Sequence, residues 1–278
     1  MHFDILLPSI LFFITAVIIF FHSKHKRKIR SLLEEKELKI RDVVSMVALM
    51  GVVVTVLVFI PQYAIMTIFL CMYSFILYLA TYLIVPKWYL APLTPAVFIF
   101  LYLFSWNTLL LNVFATIFVI FISVYLGSLF TWKTTAIFAT LLTVMDIIQV
   151  LGTQFMVASA SKMLALQLPV MIVVPTFPVN VGLIALGLGD LFLSGLLSIQ
   201  TAEKYGKKMG CLSALSIAVT FAIFEFIQLH CGFHALPATV FIVTGWLISL
   251  GARYLRKLYR NKRINKLVLN SYVNSQPL

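Results

Sequence analysis

Charged residues make up only 11% of this 278-residue chain, less than half the share of about 25% found in ordinary globular domains. With 62% hydrophobic residues and a mean hydropathy of +1.05, a water-soluble globule is excluded and a polytopic membrane protein is expected. Cysteine is scarce as well. Cys71, Cys211 and Cys231 show neither a C-x-x-C pair nor a His-Cys spacing, so they read as small buried hydrophobes and not as disulfides or metal ligands. Histidine occurs at positions 2, 22, 25, 230 and 234, never in the H-E-x-x-H spacing on a span that zinc hydrolysis requires. Serine catalysis lacks its parts too: Ser194-Gly195 follows Phe192-Leu193, and no histidine lies at mid-span. No internal repeat, low-complexity tract or soluble domain is visible. Neither metal nor cofactor is expected.

What the chain has in abundance is apolar runs. Stretches of roughly 17 to 25 residues cross a hydrocarbon core of about 30 Å. Such runs fall near residues 4 to 21, 44 to 60, 64 to 85, 90 to 105, 108 to 129, 134 to 152, 180 to 200, 209 to 229 and 236 to 254. The expected fold is therefore all-α with nine transmembrane helices. Basic residues near span ends mark the cytoplasmic side. One cluster, Lys24 to Arg41, follows the first span, and another, Arg253 to Lys266, follows the last. Both are cytoplasmic only if the number of spans is odd, which places the amino terminus outside and the carboxyl terminus in the cytoplasm. Lys162 is then the one basic residue outside. The first span has its basic residues behind it, the pattern of a retained signal anchor.

The net charge of +12 is accounted for by topology and anionic lipid headgroups, since the basic residues hug span ends. Nucleic acid is not expected as a partner. The chain divides into residues 1–152, with six spans; an external loop at 153–179; three further spans at 180–254; and a basic cytoplasmic tail at 255–278. The loop at 22–43 reads as an interfacial helix.

The nine acidic residues sort by depth. Asp4, Glu34, Glu35, Glu37, Asp42 and Glu203 fall outside the spans. Glu225 lies about one turn from the outer end of the eighth, beside Gln228 and His230, and reads as structural, snorkelling or hydrogen-bonded. Asp146 and Asp190 are deeper. A carboxylate at the centre of a membrane helix costs roughly 2.5 to 3.5 kcal/mol on insertion scales, so two of them need a reason. At 1.5 Å per residue, Asp146 lies roughly 9 Å and Asp190 roughly 15 Å below the outer surface, close enough in level for neighbouring antiparallel helices to bring them together. Gly187 and Gly189 would allow a close approach to Asp190.

Two adjacent carboxyls share a proton, one acting as base toward water while the other protonates a scissile carbonyl. That is the apparatus of an aspartyl protease. Paired intramembrane aspartates also serve ion and proton conduction, and composition and depth alone leave a channel or transporter open.

Three segments then carry a resemblance. Met145-Asp146 through Val150-Leu151-Gly152-Thr153-Gln154-Phe155-Met156-Val157, then Leu186-Gly187-Leu188-Gly189-Asp190-Leu191-Phe192, then Ala235-Leu236-Pro237 resemble the signature segments of the signal peptide peptidase and presenilin family, in that family's order. The likeness is specific over residues 134 to 254. It is nearer the signal peptide peptidase branch, through the Gly-Thr-x-x-Met-Val run, the short interval between aspartates and the orientation. The compact termini resemble those of prokaryotic, archaeal members, which implies the prokaryotic cell membrane.

The resemblance implies a presenilin-like fold and an intramembrane aspartic endopeptidase. Asp146 and Asp190 would be its catalytic pair, with active-site support from Met145, Gly187, Leu188, Gly189, Ala235, Leu236 and Pro237. It implies as substrates transmembrane helices or remnant signal peptides whose amino terminus is cytoplasmic. Two positions depart from the family: Met145 stands where it has Tyr, and His234 where it has Pro. A prepilin-peptidase-like enzyme also uses GxGD but usually has a basic residue soon after it, and Leu191-Phe192-Leu193-Ser194 has none. The oligomeric state stays open.

The external segment carries Pro169, Pro175 and Pro178 around a β-branched run, too short for a span and suited to an edge strand. Val170, Met171, Ile172, Val173 and Val174 are thus expected to bind unwound substrate by strand addition.

Overall fold

In lipid every backbone amide needs an internal partner, so long apolar runs fold as helices. The computed structural model describes residues 5–32, 37–85, 87–177, 182–231 and 236–274. The early helices are α1 (Leu6–Leu32), α2 (Ile40–Phe59), α3 (Gln62–Ile84), α4 (Leu93–Phe104) and α5 (Thr108–Gly127). The later ones are α6 (Trp132–Ile147), α7 (Phe155–Ala165), α8 (Leu188–Tyr205), α9 (Lys207–Cys231) and α10 (Ala238–Asn274). A π-helical turn at Ile148–Gly152 extends α6, and two strands, β1 (Met171–Pro175) and β2 (Leu183–Gly187), lie between α7 and α8. Seven of the described helices are long and apolar enough to cross a membrane. The chain is an all-α polytopic membrane protein.

The two expected spans outside this set are α4 and α8, for different reasons. Helix α4 has only 12 residues, its start delayed by Pro92 at the N-cap. Helix α8 is too polar to qualify on hydropathy because it faces protein. Every residue from Leu191 to Thr201 is buried, against α1, α5 and α9 above all. Its polar groups find partners there. Ser194 Oγ lies 2.9 Å from Thr15 Oγ1, Gln200 Nε2 donates to the carbonyls of Gly127 and Phe130, and Trp246 Nε1 donates to Thr201 Oγ1. At its C-terminal end, Glu203 Oε1 accepts from His22 Nε2 at 2.9 Å and Lys26 Nζ at 2.8 Å, tying α8 to α1.

Several boundaries differ from expectation. Among the described residues the stretch at 22–43 holds no separate interfacial helix, because α1 continues unbroken to Leu32 and α2 begins at Ile40. The basic tail is likewise helical, α10 running on to Asn274. Helix α8 begins at Leu188, not near residue 180, because Leu183–Gly187 is strand. Cys71 and Cys211 are free thiols exposed on the helix surface, not buried ones.

Between α7 and β1 the backbone is irregular, so its carbonyls need donors. Aromatic side chains of α3, α4 and the α4–α5 turn supply them. Tyr102 OH donates to Leu166 O at 3.0 Å, Trp106 Nε1 to Gln167 O at 2.8 Å, and Tyr73 OH to Pro169 O. These bonds give the irregular carbonyls the partners that a regular helix or strand would have supplied.

The strands pair antiparallel, Val173 opposite Ala185. Leu188 N donates to Val170 O and Thr176 N to Gly182 O, so even-numbered residues of β1 face β2 and odd-numbered ones face away. On the outer edge of β1, Val173 is taken at both groups by Asn112 of α5: Nδ2 donates to Val173 O at 2.7 Å, and Oδ1 accepts from Val173 N at 2.8 Å. Pro175 has no amide proton. On the expected β1 edge Val173 is thus occupied and Pro175 cannot donate, whereas on β2 the outward-facing residues are Leu183, Ala185 and Gly187, of which Leu183 and Ala185 are exposed.

Candidate active site

Asp146 sits on the last turn of α6 and is buried. Its carboxylate meets the start of α10, where Thr239 Oγ1 donates to Asp146 Oδ2 at 2.6 Å. Thr239 is the second residue of α10, so this bond ties the end of α6 to the first turn of that helix. A carboxylate is favoured there by the unsatisfied amides at a helix N-terminus.

The π turn follows directly, an arrangement common at functional sites. It turns Gln149 toward α2, where Nε2 donates to Gly51 O at 2.9 Å, and leaves Val150 beside Asp146 on the cavity wall. Met145 also faces α2: a Cβ at Gly51 would stand 3.2 Å from its sulfur. This residue packs two helices together and does not line the site.

Asp190 is the third residue of α8, immediately after β2. Its position owes more to the strand than to a continuous span, which corrects the depth argument made from a helix starting at 180. The two motif glycines have different roles. A Cβ at Gly187 would lie 3.2 Å from Asp190 Oδ2, whereas one at Gly189 would meet nothing within 4 Å. The bare α-carbon of Gly187 accommodates the carboxylate.

Both aspartates line one cavity of about 330 Å3. One wall is α7, which turns Met156, Val157, Ala160, Ser161 and Leu164 inward, the repeat of a single helix face. Its opposite side is held by Lys162, whose Nζ donates to Val58 O and Ile60 O at the end of α2. Cations are stabilised at that pole of a helix. The remaining walls include Met171, Ala185 and Gly187 of the hairpin, Phe221, Phe224 and Gln228 of α9, and Leu236.

Of the expected support residues, Gly187 and Leu236 line the cavity and Pro237 is buried beside it. Leu188 is buried behind the site and donates its amide to Val170. Ala235 and His234 lie outside the described residues. Of the expected substrate-binding run, Met171 reaches the cavity, while Ile172 and Val174 belong to the main core and Val173 is held by Asn112. Glu225 does not snorkel: it is 6% exposed and lines a second cavity of about 420 Å3, which shares Ala185, Phe221, Phe224 and Gln228 with the first. No grouping of three potential metal ligands occurs among the described residues.

Comparison with protein-family models and with curated proteins finds no match.

Proposed function

We propose that the protein is an intramembrane aspartyl endopeptidase of the signal peptide peptidase and presenilin type. Its substrates are single transmembrane helices or remnant signal peptides. The observation that carries this reading is that the two deep carboxyls, from different helices, line a single cavity beside an open strand edge. The Thr239 hydrogen bond fixes the Asp146 carboxyl in place, and in this reading Asp146 serves as the base and Asp190 as the acid of a pair that shares one proton. Asp146 takes a proton from water as its oxygen attacks the scissile carbonyl, and Asp190 gives a proton to the carbonyl oxygen. The tetrahedral intermediate then collapses to a carboxylic acid and an amine, the leaving nitrogen receiving its proton from the dyad.

A membrane helix hides its amides in its own hydrogen bonds, so cleavage needs local unwinding. The outward amides and carbonyls of Leu183, Ala185 and Gly187 offer the unwound segment replacement partners, leading it toward Asp190. With α4 and α8 counted, nine spans cross the membrane of a prokaryotic cell, amino terminus outside. Substrates then enter with their amino terminus cytoplasmic.

The test is cleavage of a signal-peptide-like helix by purified protein in detergent. Asp146→Asn and Asp190→Asn are each expected to abolish product, and full activity in either would overturn the reading. Aspartate-dependent ion flux with no cleavage of any membrane peptide would replace it with ion conduction.

A further inference from the structure

A groove of about 370 Å3 runs between α9 and α10 on the outer surface of the bundle, away from the aspartates. Along α9 it is lined from Met209 to Ile223, roughly 21 Å at the helical rise, which covers one leaflet's share of a core about 30 Å thick. Its flanks are apolar and open: Leu215, Val219 and Ile248 are each about half exposed. Its floor offers no free polar group, because Ser216 donates to Gly245 O, Thr220 to Phe241 O and Ser249 to Trp246 O.

The cytoplasmic end of the groove is different. Arg253 and Arg256, three residues apart and so on one face of α10, line it there. Neither has a carboxylate partner among the described residues. Arg253 is steadied against the Tyr205 ring at 4.0 Å, a contact that leaves its hydrogen-bond donors unused. An apolar channel of leaflet length ending in two guanidiniums matches an acyl chain ending in a phosphate.

We propose that this groove is a binding site for an anionic phospholipid of the cytoplasmic leaflet, acyl chain between α9 and α10 and phosphate on Arg253 and Arg256. Guanidinium suits phosphate by its planar fork of donors, and basic residues at this level favour anionic headgroups.

The experiment is native mass spectrometry of the full chain released from vesicles of phosphatidylcholine mixed with phosphatidylglycerol. Wild type is expected to retain phosphatidylglycerol over phosphatidylcholine by on the order of tenfold. Arg253→Gln with Arg256→Gln should abolish that preference. Val219→Trp, at an exposed position, should fill the channel and reduce retention of lipid while leaving both arginines. Inorganic phosphate should not displace the lipid. An unchanged preference in the double variant, with helical content intact, would overturn the proposal, as would unchanged retention in Val219→Trp or displacement by phosphate alone.

Discussion

Thr239 Oγ1 donates to Asp146 Oδ2 at 2.6 Å, joining the first residues of α10 to the end of α6. If this bond keeps Asp146 ready to accept a proton, Thr239→Val, which keeps the shape and removes the donor, should lower kcat by roughly 10 to 100-fold. KM should change little, and Thr239→Ser should restore most of the rate. Equal loss in Val and Ser variants would assign Thr239 to packing alone.

The glycines of the GxGD segment should separate in the same assay. Gly187→Ala puts a methyl 3.2 Å from Asp190 Oδ2, so the carboxylate must shift, and misplacement on this scale costs up to about 100-fold in rate. Gly189→Ala meets open space and replaces a helical glycine, which should leave thermal stability unchanged or raise it by up to about 1 kcal/mol. Rate losses of equal size in both variants would contradict this division.

Strand addition can be tested on β2. Ala185→Pro removes an outward amide of the open edge and should raise KM or abolish cleavage with the fold intact. Proline at Ile172 or Val173 should act otherwise, because one amide faces β2 and the other bonds Asn112; both should destabilise the hairpin. Cleavage unaltered by Ala185→Pro would exclude the β2 edge as a substrate contact.

These expectations show where sequence was informative. Helices α2, α3 and α5 were legible because they face lipid over much of their surface and are apolar throughout. Asp146 and Asp190 stood out because a carboxylate at that depth is costly. The start of α8 was hidden, since Leu183–Gly187 is an apolar run of five residues, too short for periodicity to separate strand from helix. Thr239 was hidden as well, its hydroxyl being unremarkable at a span's start until Asp146 is seen across from it. Asn112 gave a usable signal, an amide within the apolar run of α5, and its bonds to Val173 decide which strand edge is open.

Glu203 supplies a pH test away from the site. Burial alone would raise its pKa, but hydrogen bonds and charge from His22 and Lys26 hold it at about 2, below the ordinary 4.5. A carboxyl depressed in the folded state stabilises it above the unfolded value, and that contribution is lost as pH falls through the folded one. Glu203→Gln should therefore lower the melting temperature in detergent near neutral pH. The gap from wild type should narrow as pH drops from about 4.5 toward 2. The α1–α8 tie is local, so the loss should come with little change in cleavage at temperatures where both proteins are folded. A gap that stays constant down to pH 2 would show that the ion triad adds nothing to stability.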